Sequence, residues 1–333
     1  MKYCSKCILS ENIFSVTIND DGLCNYCVSQ PQTISCNESY EIDLSKYKRG
    51  TEHDIILAYS GGKDSTYTLC LLKEKYNLNV LAVTFDNGFL ADETYKNIKN
   101  VCSNLSVNNL IISPSIKKLN SIFKYADKDE LLPKKSLERA SAICTYCIGL
   151  VKMNVYKEAI LREIPLIAFG WTPGQINMNK KVVKLDYKIV KSNFARMKGN
   201  IIKEFGESYN SILLADDVLD KCKDNIPSLF YPFSNDNYSE KQVIDKIHSI
   251  GWKKPNNTDG NSTNCLLNAY AIHRHKKKYE FHPYALELAY LVRNNLMDRE
   301  EALSRIVQDE DAQLIEYVEK KLNRIDEGEA IIF

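Results

Sequence analysis

The chain has 333 residues, 44% apolar and 26% charged, with 44 basic against 43 acidic side chains and a formal charge of +1. That composition suits a globular protein of two or three domains. It supplies no global field for nucleic acid or a membrane surface, and no run approaches the ~18 apolar residues of a membrane helix.

The opening MKYCSKC lacks the apolar centre of a signal peptide, so the expected location is cytoplasmic. A reducing compartment makes structural disulfides unfavourable, and the eleven cysteines then point to metals or redox chemistry. Six of them form three CxxC pairs, Cys4/Cys7, Cys24/Cys27 and Cys144/Cys147. The first two pairs have the spacing of a four-cysteine zinc ribbon over residues 1–30, with Gly22 as the turn before the second knuckle. Four thiolates make a closed tetrahedral, structural site for Zn2+. Residues 31–50 are polar and irregular and read as a linker.

From residue 51 to 235 the pattern is β/α. DIILAYS (54–60) reads as a strand, followed by a helix from about Asp64 to Tyr76. NVLAVTFD (79–86) is a second strand, a helix lies near 91–104, and NLIISP (109–114) is a third strand. These runs are continuously apolar, as in a parallel sheet covered on both faces. Residues 116–163 read as mostly helical, interrupted near Pro133 and around ICTYC. PLIAFGW (165–171) and SLFYPF (228–233) give a fourth and a fifth strand. The region 236–333 is helical. The expected fold is α/β, a doubly wound parallel sheet with an N-terminal Cys4 zinc ribbon and a helical C-terminal region.

At the junction of the first strand and helix stands Ser60-Gly61-Gly62-Lys63-Asp64-Ser65. A glycine-rich turn entering a helix brings backbone N–H groups close to an anion. Neither GxGxxG nor GxxxxGK[ST] is present. The string resembles the SGGxDS signature of the PP-loop (N-type) ATP pyrophosphatases, the adenine nucleotide α-hydrolase-like family with a HUP-like sheet. That resemblance implies ATP with Mg2+. The loop residues Tyr59, Ser60, Gly61, Gly62, Lys63, Asp64, Ser65 and Thr66 would hold the phosphates, and Asp64 would serve magnesium or cap the helix. Phe85, Asp86 and Asn87, at the end of the second strand, resemble the adenosine-contacting segment. Gly170, Thr172 and Gln175 follow the fourth strand at the corresponding edge.

Cys144 and Cys147 precede a helix in the catalytic half, and Cys265 lies downstream in STNCLLNAY. CxxC plus one later cysteine can supply three thiolates to a [4Fe–4S] cluster. This arrangement resembles the iron–sulfur-dependent tRNA 2-thiolation enzymes, whose CxxC…R helix is similar to Cys144–Lys152. The implied reaction adenylates a carbonyl oxygen, releases pyrophosphate, and replaces AMP with sulfur, with Cys144, Cys147, Cys265 and Asp64 as catalytic residues. Iron-bound hydrosulfide or a cysteine persulfide would be the nucleophile, from sulfide or a cysteine desulfurase. The ends of the chain instead resemble the N-acetyl sugar amidotransferases, which take ammonia from a glutaminase. Further alternatives are a desulfidase and a non-catalytic nucleotide-binding zinc protein. The acceptor is a small molecule or a tRNA base, and since many relatives pair as dimers, the resemblance allows a homodimer. Cys222, in a charged helical stretch, is the other candidate third cysteine. Cys36, Cys70 and Cys102 suit small buried apolar roles. Basic clusters at 180–184 and 274–278 read as solvated faces, and His273, His275 and His282 as surface or structural.

Overall fold

Short runs of β-branched and leucine residues, bounded by polar turns, build the centre of the molecule. The structure, a computed structural model, describes residues 2–29, 43–48, 52–128, 131–175, 181–233, 239–256 and 258–324. Of the expected linker only 43–48 lies within them, with a short 3-10 turn at Ser45–Tyr47, and Cys36 lies outside. Six strands form one sheet: β1 (Ile55–Ala58), β2 (Val80–Phe85), β3 (Asn108–Ile112), β4 (Leu166–Phe169), β5 (Val182–Val183) and β6 (Ser228–Phe230), in the order β3-β2-β1-β4-β6-β5. All pairings are parallel except that of β5 with β6. β5 was not expected. Two residues inside a basic stretch carry no strand signal of their own, and the pairing of Val182 with Phe230 supplies it.

Ten helices of eight or more residues surround the sheet among the described residues. They are α1 (Lys63–Cys70), α2 (Asp92–Asn104), α3 (Ile116–Asp127), α4 (Ala142–Leu161), α5 (Tyr187–Phe205), α6 (Glu240–Ser249), α7 (Leu267–Tyr279), α8 (Ala285–Arg293), α9 (Arg299–Val307) and α10 (Ala312–Asn323). None is long and apolar enough to cross a membrane. β1 shows how the layers form. Ile55 and Leu57 face a cluster with Leu69, Val101 and Trp252, while Ile56 and Ala58 face α3 and α4 through Phe123 and Met153. Both faces are therefore covered, as continuous apolar strands require.

Two expectations about α4 are corrected. The helix is not interrupted around ICTYC, and Cys144 and Cys147 do not precede it but lie in its first two turns. Ser141 caps it, its side chain accepting from Cys144 N, and the following twenty residues continue without a break. Likewise Cys222 is not helical. It follows a short helix, Asp216–Asp220, and its thiol donates to the Leu219 carbonyl at 3.2 Å.

The N-terminal segment is docked on the C-terminal helices. Cys4, Cys7, Ile8, Leu9, Ile13 and Val16 share one apolar cluster with Leu286, Ala289, Leu291, Ala302 and Ile306. The Arg299 guanidinium donates to the carbonyls of Cys7 (3.0 Å) and Cys4 (3.1 Å), fixing the first knuckle to the start of α9.

Candidate functional site

The chain leaves β1 toward β2 on one side, while β4 lies against β1 on the other. The sheet order therefore reverses between β1 and β4, and a crevice opens there at the carboxyl ends of the strands. The Ser60–Ser65 loop stands at this point. Gly61 has φ +72°, a conformation that side chains resist. Gly170, just after β4, packs so closely that an added Cβ would lie 2.6 Å from Ser65 Cα. Loop and β4 edge are thus in direct backbone contact.

The loop is braced from within and from the C-terminal region. Ser60 Oγ lies 3.0 Å from Ser65 Oγ, and Ser65 Oγ donates to the Gly62 carbonyl at 3.1 Å. Trp252 Nε1 donates to the Gly61 carbonyl (2.9 Å), and Lys63 N donates to Thr263 Oγ1 (2.9 Å). The Gly62 amide meets Ser60 Oγ at 3.3 Å. Two of the amides expected to face an anion therefore already have partners within the chain. Asp64 does not cap α1, whose N-cap is Gly62. Its carboxylate pairs with Lys63 Nζ at 2.8 Å, and Lys63 also reaches Glu240 at 3.4 Å.

Tyr59 and Thr66 are 1% and 0% exposed and bond each other, Oη to Oγ1, at 3.2 Å. They shape the loop from beneath it. Phe85 is buried in the core, and Asp86 Oδ1 accepts from Gly88 N at 2.9 Å. Asn87 is turned onto the protein. Its Oδ1 accepts from Phe89 N at 2.9 Å, and its Nδ2 donates to Cys265 Sγ at 3.3 Å and Cys147 Sγ at 3.6 Å.

That amide unites segments 60 and 178 residues away from it. Cys147 stands one turn beyond Cys144 on the same face of α4. Cys265 is delivered by an isolated bridge to Leu90, with Leu266 N donating to Phe89 O at 2.8 Å. All three cysteines are half-buried. Burial pushes the Cys144 thiol up to about 12 and raises Cys147 and Cys265 as well, so ionisation here calls for a cation. The trio is not a single-ion site. Among the described residues only the Cys4, Cys7, Cys24 and Cys27 set has ligand atoms within 4.8 Å of one another. A multi-iron cluster spreads its thiolates more widely than one ion does, and three soft donors with an N–H group directed at them suit such a cluster.

The N-terminal cysteines fit one ion. Their sulfurs approach to 3.7 Å (Cys4 to Cys27) and 3.6 Å (Cys7 to Cys24). Four thiolates each about 2.3 Å from a tetrahedral ion lie about 3.8 Å apart. Cys24 N also donates to Cys4 Sγ at 3.2 Å. This set can bind a metal.

Beside the trio is a cavity of about 270 Å³, lined among others by Cys144, Lys152, Trp171, Asn268, Tyr284 and Glu287. Of these, the sequence singled out only the cysteine and the end of the Cys144–Lys152 helix. Glu287, on α8, accepts from Thr172 Oγ1 (3.4 Å) and Gln175 Nε2 (3.3 Å), and of these two β4-edge residues Gln175 lines the cavity. Burial, with the Asp64 charge second, pushes Glu287 up to about 7. Its folded value lies above the unfolded one. Between pH 4.5 and 7 the native state therefore holds a proton that the unfolded chain has lost, and the stability this contributes is lost as pH rises through 7. Glu287→Gln is expected to flatten that slope, worth on the order of 3 kcal/mol, in denaturant titrations at pH 5 and pH 8. An unchanged slope would exclude Glu287 as its source.

Fold and loop together make an α/β domain with a PP-loop-like strand–turn–helix, an arrangement suited to an anion. Residues 54–148 match the family model described as queuosine biosynthesis protein QueC. The chain is also 29% identical over 265 residues to an uncharacterized protein, MJ1599, of Methanocaldococcus jannaschii, covering 80% of this chain and 76% of that one. A solved structure, the U34-tRNA thiolase NcsA from Methanococcus maripaludis with its [4Fe-4S] cluster, aligns over 84% of this chain and 74% of its own. Identity is 15% and the TM-score 0.33, a likeness too slight to bear on function.

Proposed function

We propose that the protein is a cytoplasmic ATP-dependent sulfurtransferase that forms AMP and pyrophosphate. The observation that carries this reading is the Asn87 amide, which draws Cys147 and Cys265 together at the end of the strand beside the nucleotide loop. Ammonia transfer gives a buried cysteine trio no task, whereas sulfur chemistry does. In this reading the Ser60–Ser65 loop holds the pyrophosphate part of ATP, and Asp64, released from Lys63, takes magnesium. An acceptor in the 270 Å³ cavity lies against Cys144, and Glu287 on the cavity wall feels the charge of Asp64 in the loop. Its carbonyl oxygen attacks the α-phosphorus, forming an O–P bond as the bond to pyrophosphate breaks. A sulfur nucleophile derived from sulfide then attacks the activated carbonyl carbon, forming a C–S bond, and the C–O bond breaks as AMP leaves with the oxygen. Cys144, Cys147 and Cys265 would hold a [4Fe–4S] cluster, which supplies a Lewis-acidic iron for sulfur when bound. Zinc would occupy the N-terminal site. The cavity's size favours a small acceptor or a single base.

Anaerobic purification followed by iron, sulfide and zinc counts tests this. Wild type is expected to hold about four irons and about one zinc per chain. Cys144→Ala, Cys147→Ala and Cys265→Ala should each lose the iron and keep the zinc. Zinc with no iron in any anaerobic or reconstituted sample overturns the reading. The search would then turn to ammonia, a glutaminase and a sugar acceptor.

A further inference from the structure

Two asparagine amides flank the three cysteines, and one of them has an atom with no partner. Asn268, in the first turn of α7, is 4% exposed. Its Oδ1 accepts from Cys144 Sγ at 3.4 Å and from Tyr284 Oη at 3.1 Å. Its Nδ2 is buried without a hydrogen-bond partner. An unmet buried donor is costly.

This arrangement needs Cys144 to carry a proton, because Oδ1 can only accept. A metal-binding cysteine is a thiolate, which accepts and has nothing to donate. A half-turn of the carboxamide exchanges its ends. Nδ2 then lies against Cys144 Sγ and Tyr284 Oη and donates to both, while Tyr284 changes from donor to acceptor. Asn87 already stands the corresponding way round. The Phe89 amide fixes its Oδ1, which leaves Nδ2 directed at Cys147 and Cys265.

We propose that Asn87 and Asn268 are positioning residues of the three-cysteine centre, presenting amide N–H groups to its thiolates, and that Asn268 turns over when Cys144 becomes a ligand. The inference rests on the trio holding an iron–sulfur cluster. Hydrogen bonds to the sulfurs withdraw electron density, raise the reduction potential and slow cluster loss. Between them, the two amides reach all three cysteines.

The test uses the full-length chain, purified or reconstituted anaerobically, as wild type, Asn268→Leu and Asn268→Asp. Leucine keeps the volume and removes the donor, and aspartate keeps the shape but offers only acceptors. Zinc content and the melting curve report folding. Both variants are expected to lose cluster absorbance to a chelator about 10–100-fold faster than wild type. Their reduction potentials should shift to more negative values, with Asn268→Asp shifted further. Wild type should in addition show a weak amide-nitrogen coupling to the reduced cluster by pulsed electron paramagnetic resonance, a readout independent of any variant's folding. A loaded wild type without that coupling, or variants with unchanged potential and decay, overturns the role of the amides and leaves the cluster reading intact. A wild type that takes up no iron under any condition overturns both.

Discussion

Gly170→Ala is expected to weaken nucleotide binding about 100-fold while leaving most of the fold in place. An alanine Cβ there would lie 2.6 Å from Ser65 Cα and 2.7 Å from Ser65 N. Both are backbone atoms at the start of α1, so no rotamer change relieves the overlap. Either the end of β4 or the first turn of the helix must move by about 1 Å, since carbon atoms settle near 3.5–4.0 Å. That turn carries the amides available to a phosphate, and displacements of this size cost about 100-fold in function. Overpacking of this kind costs about 1–3 kcal/mol of stability. Gly199→Ala, on α5, is the control. Nothing lies within 4 Å of its added Cβ, and alanine in a helix should stabilise slightly, by about 1 kcal/mol. Calorimetric titration with ATP and magnesium reads the difference, and wild-type affinity in Gly170→Ala would refute the close-approach account.

Cys24→Ser, or removal of the metal by chelation, is expected to unfold residues 2–29 and to loosen α8 and α9 with them. The N-terminal segment, residues 2–29, is too short to bury a core of its own. Metal binding by four cysteines is worth on the order of 10 kcal/mol to so small a unit. Its buried face is shared, because Ile8, Leu9, Ile13 and Val16 pack in one cluster with Leu286, Leu291 and Ile306. Arg299 bonds the carbonyls of both Cys4 and Cys7. Loss of the ribbon therefore exposes the C-terminal helices. Hydrogen exchange should show protection falling in Ala285–Arg293 and Arg299–Val307, while β1 and β2 stay protected. Uniform protection after metal removal would show the ribbon to be a separate unit.

Much of the framework was legible because its signals are local. Four of the five expected strands align within two residues at each end, and SLFYPF shortens to Ser228–Phe230, where its pairing with β4 stops just before Pro232, which has no N–H to give a ladder. Cys70 and Cys102 are buried, as small apolar residues would be. The break assigned to ICTYC was wrong because two cysteines suggested a loop, when a capping serine and a long apolar run had already set a helix. Asn87 was read as facing the nucleotide, since it ends a strand at the binding edge. Nothing local to it reveals the sulfurs on which its amide rests.

The sequence by itself determined the glycine-rich loop between strand and helix, the parallel core and the four cysteines of the N-terminal site. In each case the chemistry depends on residues a few positions apart, or on two CxxC pairs joined by a short loop, and chain connectivity alone brings them together. Only the tertiary structure set Cys147 and Cys265 on one Asn87 amide, placed Asn268 beside Cys144, and brought Glu287 to the cavity. Those placements join segments up to 178 residues apart. They follow from how helices pack over the whole sheet, and no spacing within a single stretch of chain encodes them.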